Sequence, residues 1–294
     1  MTYLTFQPEG GRRLSYQRRG TGSLVVCVPG GPGMDPEAYF AELELPGHEL
    51  LVFAPRGTGE SSAPPTSGGY GIAGYADDVE ALREHLGQQK LTLYGNSHGA
   101  CVALAYAGAH PDRVERLVLT NGPARIDDAF IAAARRARTC FAETFADGAD
   151  RLAAAADADG ALAGELDEAE RRRQYRTLMA GYVAELGPAE VGYLDRLCAA
   201  PMNWEPVFEM SKEFVAGLDL LAGAQAVVAP TLAIGCEFDV TVPAAAMHLI
   251  ATALPNGHFL ELAGIGHFPE VEAPAEFRAA VTAFLAGRPV AGIA

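Results

Sequence analysis

Apolar residues fall into two patterns that alternate over residues 1–121 and again after residue 226. Short unbroken runs at 24–28 (LVVCV), 50–54, 91–94, 114–120 and 231–235 lack the every-other-residue polarity of a strand with one wet face. They predict strands buried on both faces. Between them, Tyr75, Val79, Leu82 and Leu86 recur at spacings of four, three and four, which predicts a helix over 75–86 with one stripe facing the core. Further helices are predicted over 100–109, 244–254 and 274–285, the last with Phe277, Val281 and Phe284 on one side. Residues 259–262 make a last strand, and 3–6 and 14–17 a strand pair joined by a turn at 8–11. Strand and helix alternating across short connections means a mostly parallel sheet with helices on both faces.

The alternation stops at residue 122. From there to 226 the chain is rich in Ala, Arg and Glu, with helical periodicity and no strand. It is expected to be a helical cap (122–226) inserted between a first (1–121) and a second (227–294) part of the core. The Arg135-Arg136 and Arg171-Arg172-Arg173 clusters read as solvated helix faces balanced by Glu165, Asp167, Glu168 and Glu170.

Composition narrows the function classes. The 294-residue chain is 49% hydrophobic and 20% charged, as in a globular domain with a substantial core. No apolar run approaches the roughly 20 residues of a membrane span, and the first residues lack the basic and apolar regions of a secretion signal. A soluble, cytoplasmic protein is expected. A net charge of −15 argues against nucleic acid or an anionic membrane as partner. The five cysteines have no C-x-x-C spacing, so buried free thiols are expected, with no metal and no cofactor.

Candidate chemistry centres on Gly95-Asn96-Ser97-His98-Gly99. This G-x-S-x-G sequence ends a strand run and opens a run of helix formers, the context of a turn tight enough to push a serine out of the sheet edge. Small residues are needed two positions to either side because the backbone there is strained and closely packed. A serine hydroxyl needs a base, and the base needs a third group to orient it. His267 follows the last strand in a glycine-flanked loop, whereas His48, His85, His98, His110, His248 and His258 fall on helices or in turns. Asp239 follows the strand at 231–235. Glu237 competes with it, although Pro243, as the first turn of the next helix, fixes the end of the loop in favour of Asp239. Loops at the carboxyl ends of parallel strands share one sheet edge, so Ser97, Asp239 and His267 can meet there. Two oxyanion donors are available: the amide of His98, and one from the Gly30-Gly31 loop within Pro29-Gly30-Gly31-Pro32-Gly33.

These motifs, in this order, resemble the α/β-hydrolase superfamily, and most nearly its proline iminopeptidases. Val28-Pro29-Gly30-Gly31-Pro32-Gly33 is similar to their His-Gly-Gly-Pro-Gly loop, and Arg56-Gly57-Thr58-Gly59-Glu60-Ser61 to their Arg-Gly-x-Gly-x-Ser loop. The resemblance implies an eight-stranded α/β-hydrolase sheet, Ser97 as nucleophile, His267 as base, Asp239 as its acid, and the amides of Gly31 and His98 as the oxyanion hole. It implies cleavage of an amide or ester in a small molecule or short peptide through an acyl-enzyme, with an iminopeptidase-like aminopeptidase foremost. Pro29 in place of the family's His, and Ala54-Pro55 in place of its Asp-Gln, favour instead an esterase, lactonase or thioesterase. A non-hydrolytic ligand-binding protein on the same fold is a further alternative. For an aminopeptidase, Glu205, Glu209 and Glu213 beside Trp204 are the cap carboxylates available to hold a substrate amine.

Overall fold

The continuous apolar runs become the middle of one twisted sheet. In the computed structural model, which describes residues 2–8, 11–65 and 69–293, the strands are β1 (Leu4–Phe6), β2 (Leu14–Gly20), β3 (Ser23–Val28), β4 (His48–Ala54), β5 (Leu91–Asn96), β6 (Val114–Thr120), β7 (Thr231–Cys236) and β8 (Gly257–Leu262). Among the described residues they form one eight-stranded sheet in the order β1-β2-β4-β3-β5-β6-β7-β8. Only β1 and β2 run antiparallel to their neighbours. Of the predicted 8–11 turn, Glu9 and Gly10 lie outside the described residues.

Burial on both faces is visible in β3: Val26 and Val28 join the core on one face, Val25 and Cys27 the core on the other. The first core is completed by helices α2 (Ile72–His85), α3 (His98–Ala109) and α9 (Ala244–Ala253), the second by α1 (Pro36–Tyr39), α10 (Pro269–Glu272) and α11 (Pro274–Leu285). Helix α2 begins three residues before the periodicity predicts, because Ile72 is buried with the elbow helix rather than on the main stripe. Pro243 is the N-cap residue of α9, one position outside the helix.

Between β6 and β7 come five helices, α4 (Asp128–Thr144), α5 (Gly148–Leu162), α6 (Glu168–Ala180), α7 (Pro188–Ala199) and α8 (Glu205–Val215). Arg135, Arg136 and Arg173 are exposed as expected, Arg173 beside Glu170, whereas Arg171 and Arg172 are only partly so. Arg172 pairs with Glu168 but also donates to the carbonyls of Cys198 (2.9 Å) and Ala200 (2.7 Å), and Arg171 lies over the Trp204 and Phe208 rings. These bonds tie α6 to the segment leading into α8. Four of the five cysteines are buried as expected; Cys140 is exposed on α4, whose surface face it shares. No helix of the described residues is long and apolar enough to cross a membrane.

Candidate active site

The elbow is strained where the spacing places it. Ser97, between β5 and α3, has φ 54° and ψ −124°, a conformation that side chains rarely adopt. The small flanking residues are sterically required. A Cβ on Gly99 would lie 2.0 Å from the Val28 carbonyl oxygen, and one on Gly95 would lie 2.4 Å from that of Gly99. Ser97 N–H donates to the Thr120 carbonyl (2.8 Å), which holds the turn to β6.

The loops after β7 and β8 bring Asp239 and His267 together. His267 Nδ1 lies 2.6 Å from Asp239 Oδ2, so Nδ1 carries the proton and Nε2 is left as the basic nitrogen. Asp239 is itself fixed: its Oδ1 accepts from the Thr241 hydroxyl (2.6 Å) and from the amides of Thr241 and Val242 (each 2.9 Å). The competing Glu237 instead accepts from the Gly264 amide. Burial pulls the His267 pKa down, but the Asp239 carboxylate outweighs it and holds the imidazole above its ordinary value.

Ser97 and His267 line one cavity of about 60 Å³, together with Gly31, Met34, Tyr182 and Met210 among others. No carboxylate lies in its wall among the described residues. The Gly30-Gly31 loop is packed directly on the elbow, since a Cβ on Gly30 would lie 2.7 Å from that of Ser97. That loop is held from above, where Asn203 N–H donates to the Gly33 carbonyl (2.8 Å). His98 is the first residue of α3, a position whose N–H has no partner within the helix. The His98 side chain is buried edge-on against Tyr75, and burial lowers its pKa to about 4, so it packs as a neutral ring.

The cap carboxylates of the aminopeptidase reading lie elsewhere. Glu205 is exposed, Glu209 pairs with Lys212 (2.6 Å), and Glu213 accepts from Ile72 N–H (3.2 Å). Arg56 of the Arg-Gly-x-Gly-x-Ser loop pairs with the fully buried Asp78 (2.7 Å) and anchors the loop to α2.

Several residues that hold the site carry no sequence signal. Asn121 Nδ2 donates to the His267 carbonyl (3.0 Å). Glu272 accepts from the amides of Gly266 (2.8 Å) and Phe268 (3.0 Å), clasping His267 from both sides. Tyr182 and Phe268 stand edge-on to the imidazole, at 5.3 and 5.2 Å between ring centres. Only their contacts identify them. Among the described residues no group of three or more His, Cys, Asp or Glu is placed to hold a metal ion.

Comparison with known proteins bears on the fold and the family. A family model described as alpha/beta hydrolase fold matches residues 23–274. The chain is 34% identical over 108 residues to a proline iminopeptidase of Arabidopsis thaliana, covering 33% of this chain and 26% of that one. It is 32% identical over 121 residues to a cis-3-alkyl-4-alkyloxetan-2-one decarboxylase of Shewanella oneidensis, covering 40% and 37%. These matches thus span well under half the length of either relative. The solved structure of a proline iminopeptidase of Mycobacterium smegmatis superposes with a TM-score of 0.73 at 20% identity, over 97% of this chain and 98% of that one, a likeness of fold.

Proposed function

We propose, from the premise that this chain belongs to the alpha/beta-hydrolase family, that it is a serine hydrolase acting on a short, uncharged acyl group, in the first place as an ester. One observation carries the reading: the strained Ser97 and the Asp239-paired His267 face one small cavity whose wall has no carboxylate among the described residues. His267 Nε2 takes the proton as Ser97 Oγ attacks the carbonyl carbon. The amides of Gly31 and His98 hold the oxyanion, and the leaving alcohol departs with the proton from His267. Water, deprotonated by the same nitrogen, then attacks the acyl-enzyme and releases the acid and free Ser97. The helices of 122–226 act as the cap, supplying Tyr175, Met179 and Met210 to the acyl site.

The substrate follows from the walls. A cavity of about 60 Å³ has room for only a few water molecules, which suits a short acyl chain. A free ammonium group would find no carboxylate there among the described residues. A second reading, an iminopeptidase, is favoured by a separate observation, the matches to proline iminopeptidases over a third of the chain. Rates on p-nitrophenyl acetate and on L-prolyl p-nitroanilide separate the two. The ester reading predicts turnover of the acetate with little of the anilide, and both lost in Ser97→Ala. Preference for the prolyl anilide, itself lost on blocking its amine, would overturn it in favour of the second.

A further inference from the structure

Tyr182 separates two hollows. It lines the catalytic cavity of about 60 Å³ on one side and, on the other, a groove of about 290 Å³ between α4, α5, α6 and the loop after β7. The inner wall of that groove is apolar, formed by Leu152, Ala155, Leu178 and Val240, and its outer rim carries the exposed Arg138 and Asp159. Thr241, which hydrogen-bonds Asp239, also faces it, so the groove runs up to the back of the catalytic pair.

The wall is held rigidly. The Tyr182 carbonyl accepts from His267 N–H (2.8 Å), and the Ala184 amide two residues on donates to Glu272 (2.7 Å), the same carboxylate that clasps Gly266 and Phe268. From the other side the Arg151 guanidinium donates to the carbonyls of Ala180 and Ala184 (2.8 Å each) and of Val183, while stacking 4.9 Å over the Phe141 ring. The chain around Tyr182 is therefore gripped by the Glu272 carboxyl, by the Arg151 guanidinium and by the catalytic loop, and its ring is braced against the imidazole. Such a side chain does not swing aside for a longer ligand at little cost.

We infer that Tyr182 is the specificity-determining partition of the acyl site: it ends the cavity and confines the enzyme to short acyl groups, and without its ring a medium-length acyl chain would run past His267 into the groove. This rests on the serine-hydrolase reading for its substrate and on the two hollows for its geometry. Substitution at 182 leaves the backbone carbonyl that positions His267, so chain-length preference can change without removing that bond.

The test compares kcat/KM on p-nitrophenyl acetate, butyrate and octanoate. The wild type is expected to prefer the two short esters. Tyr182→Ala should raise the octanoate-to-acetate ratio by roughly tenfold or more, a factor that burial of about two methylenes supplies, while Tyr182→Phe should keep the wild-type ratio. Tyr182→Leu, which keeps an apolar side chain, should raise the ratio by a smaller factor and serves if the alanine variant does not fold. A second measurement does not depend on turnover: binding of 1-octanol by calorimetry should tighten by roughly the same factor from Ser97→Ala to Ser97→Ala with Tyr182→Ala. An unchanged ester ratio overturns the inference and leaves the hydrolase reading standing. If the wild type cleaves no ester, the ester reading fails by itself and the octanol affinities decide the partition, an unchanged value overturning it.

Discussion

Glu270 offers a direct check on how dry the region beneath the catalytic loop is. Its residue is 2% exposed, and neither carboxyl oxygen has a hydrogen-bond partner. The nearby Tyr94 hydroxyl pairs with Thr120 Oγ1 instead (3.3 Å). Burial raises the carboxyl pKa from 4.5 to about 7. A folded-state pKa above the unfolded one means that the native protein keeps a proton that the unfolded chain releases. Stability is therefore lost as pH rises from about 4.5 to about 7, at about 1.4 kcal/mol per unit. The full difference is about 3 kcal/mol. Glu270→Gln carries no charge at any pH, so its own packing cost is the same throughout. Urea unfolding of both proteins from pH 5 to pH 8 should show the variant gaining on the wild type by about 2–3 kcal/mol, most of it below pH 7.5. A difference that stays flat over this range would mean that Glu270 titrates like an exposed carboxylate, and the dry packing argued for the base of the site would be wrong.

Asp239→Asn should lower kcat by roughly a thousandfold or more, because the imidazole loses the partner that fixes its tautomer. His267 must be neutral to accept the proton, so wild-type activity should rise through a pH above 6.5, and the midpoint should move down in this variant; an unmoved midpoint in the pH–rate profile would contradict the pairing. Asp78→Asn leaves Arg56, only 11% exposed, without its counter-charge. It should cost about 3–5 kcal/mol in urea unfolding, and a loss below about 1 kcal/mol would show the pair to be solvated.

Much of this arrangement is legible before any coordinates. The continuous runs at β3, β4, β5, β6 and β7 mark a sheet buried on both faces because each strand must feed two cores. The elbow is legible because its sterics demand glycines two positions from the serine, and Asp239 and His267 because they follow strands whose ends share an edge. Helix α1 is too short to show a period, and its Asp35 cap is a common turn residue. Glu272, Asn121 and Tyr182 are silent for another reason. Their roles lie in contacts with residues as far as 146 positions away along the chain, and no local pattern reports such a contact. The helical stretch 122–226 is the least legible part: its conspicuous carboxylates point to surface pairs and a helix start, while the cavity is walled by methionines and tyrosines that read as ordinary core.

The central claim is that Ser97 is the nucleophile. Incubation with a fluorophosphonate, followed by intact-mass and peptide analysis, tests it directly. A single adduct on the peptide carrying Ser97, and none in Ser97→Ala, is expected. No adduct, or an adduct on another serine that persists in Ser97→Ala, would contradict it.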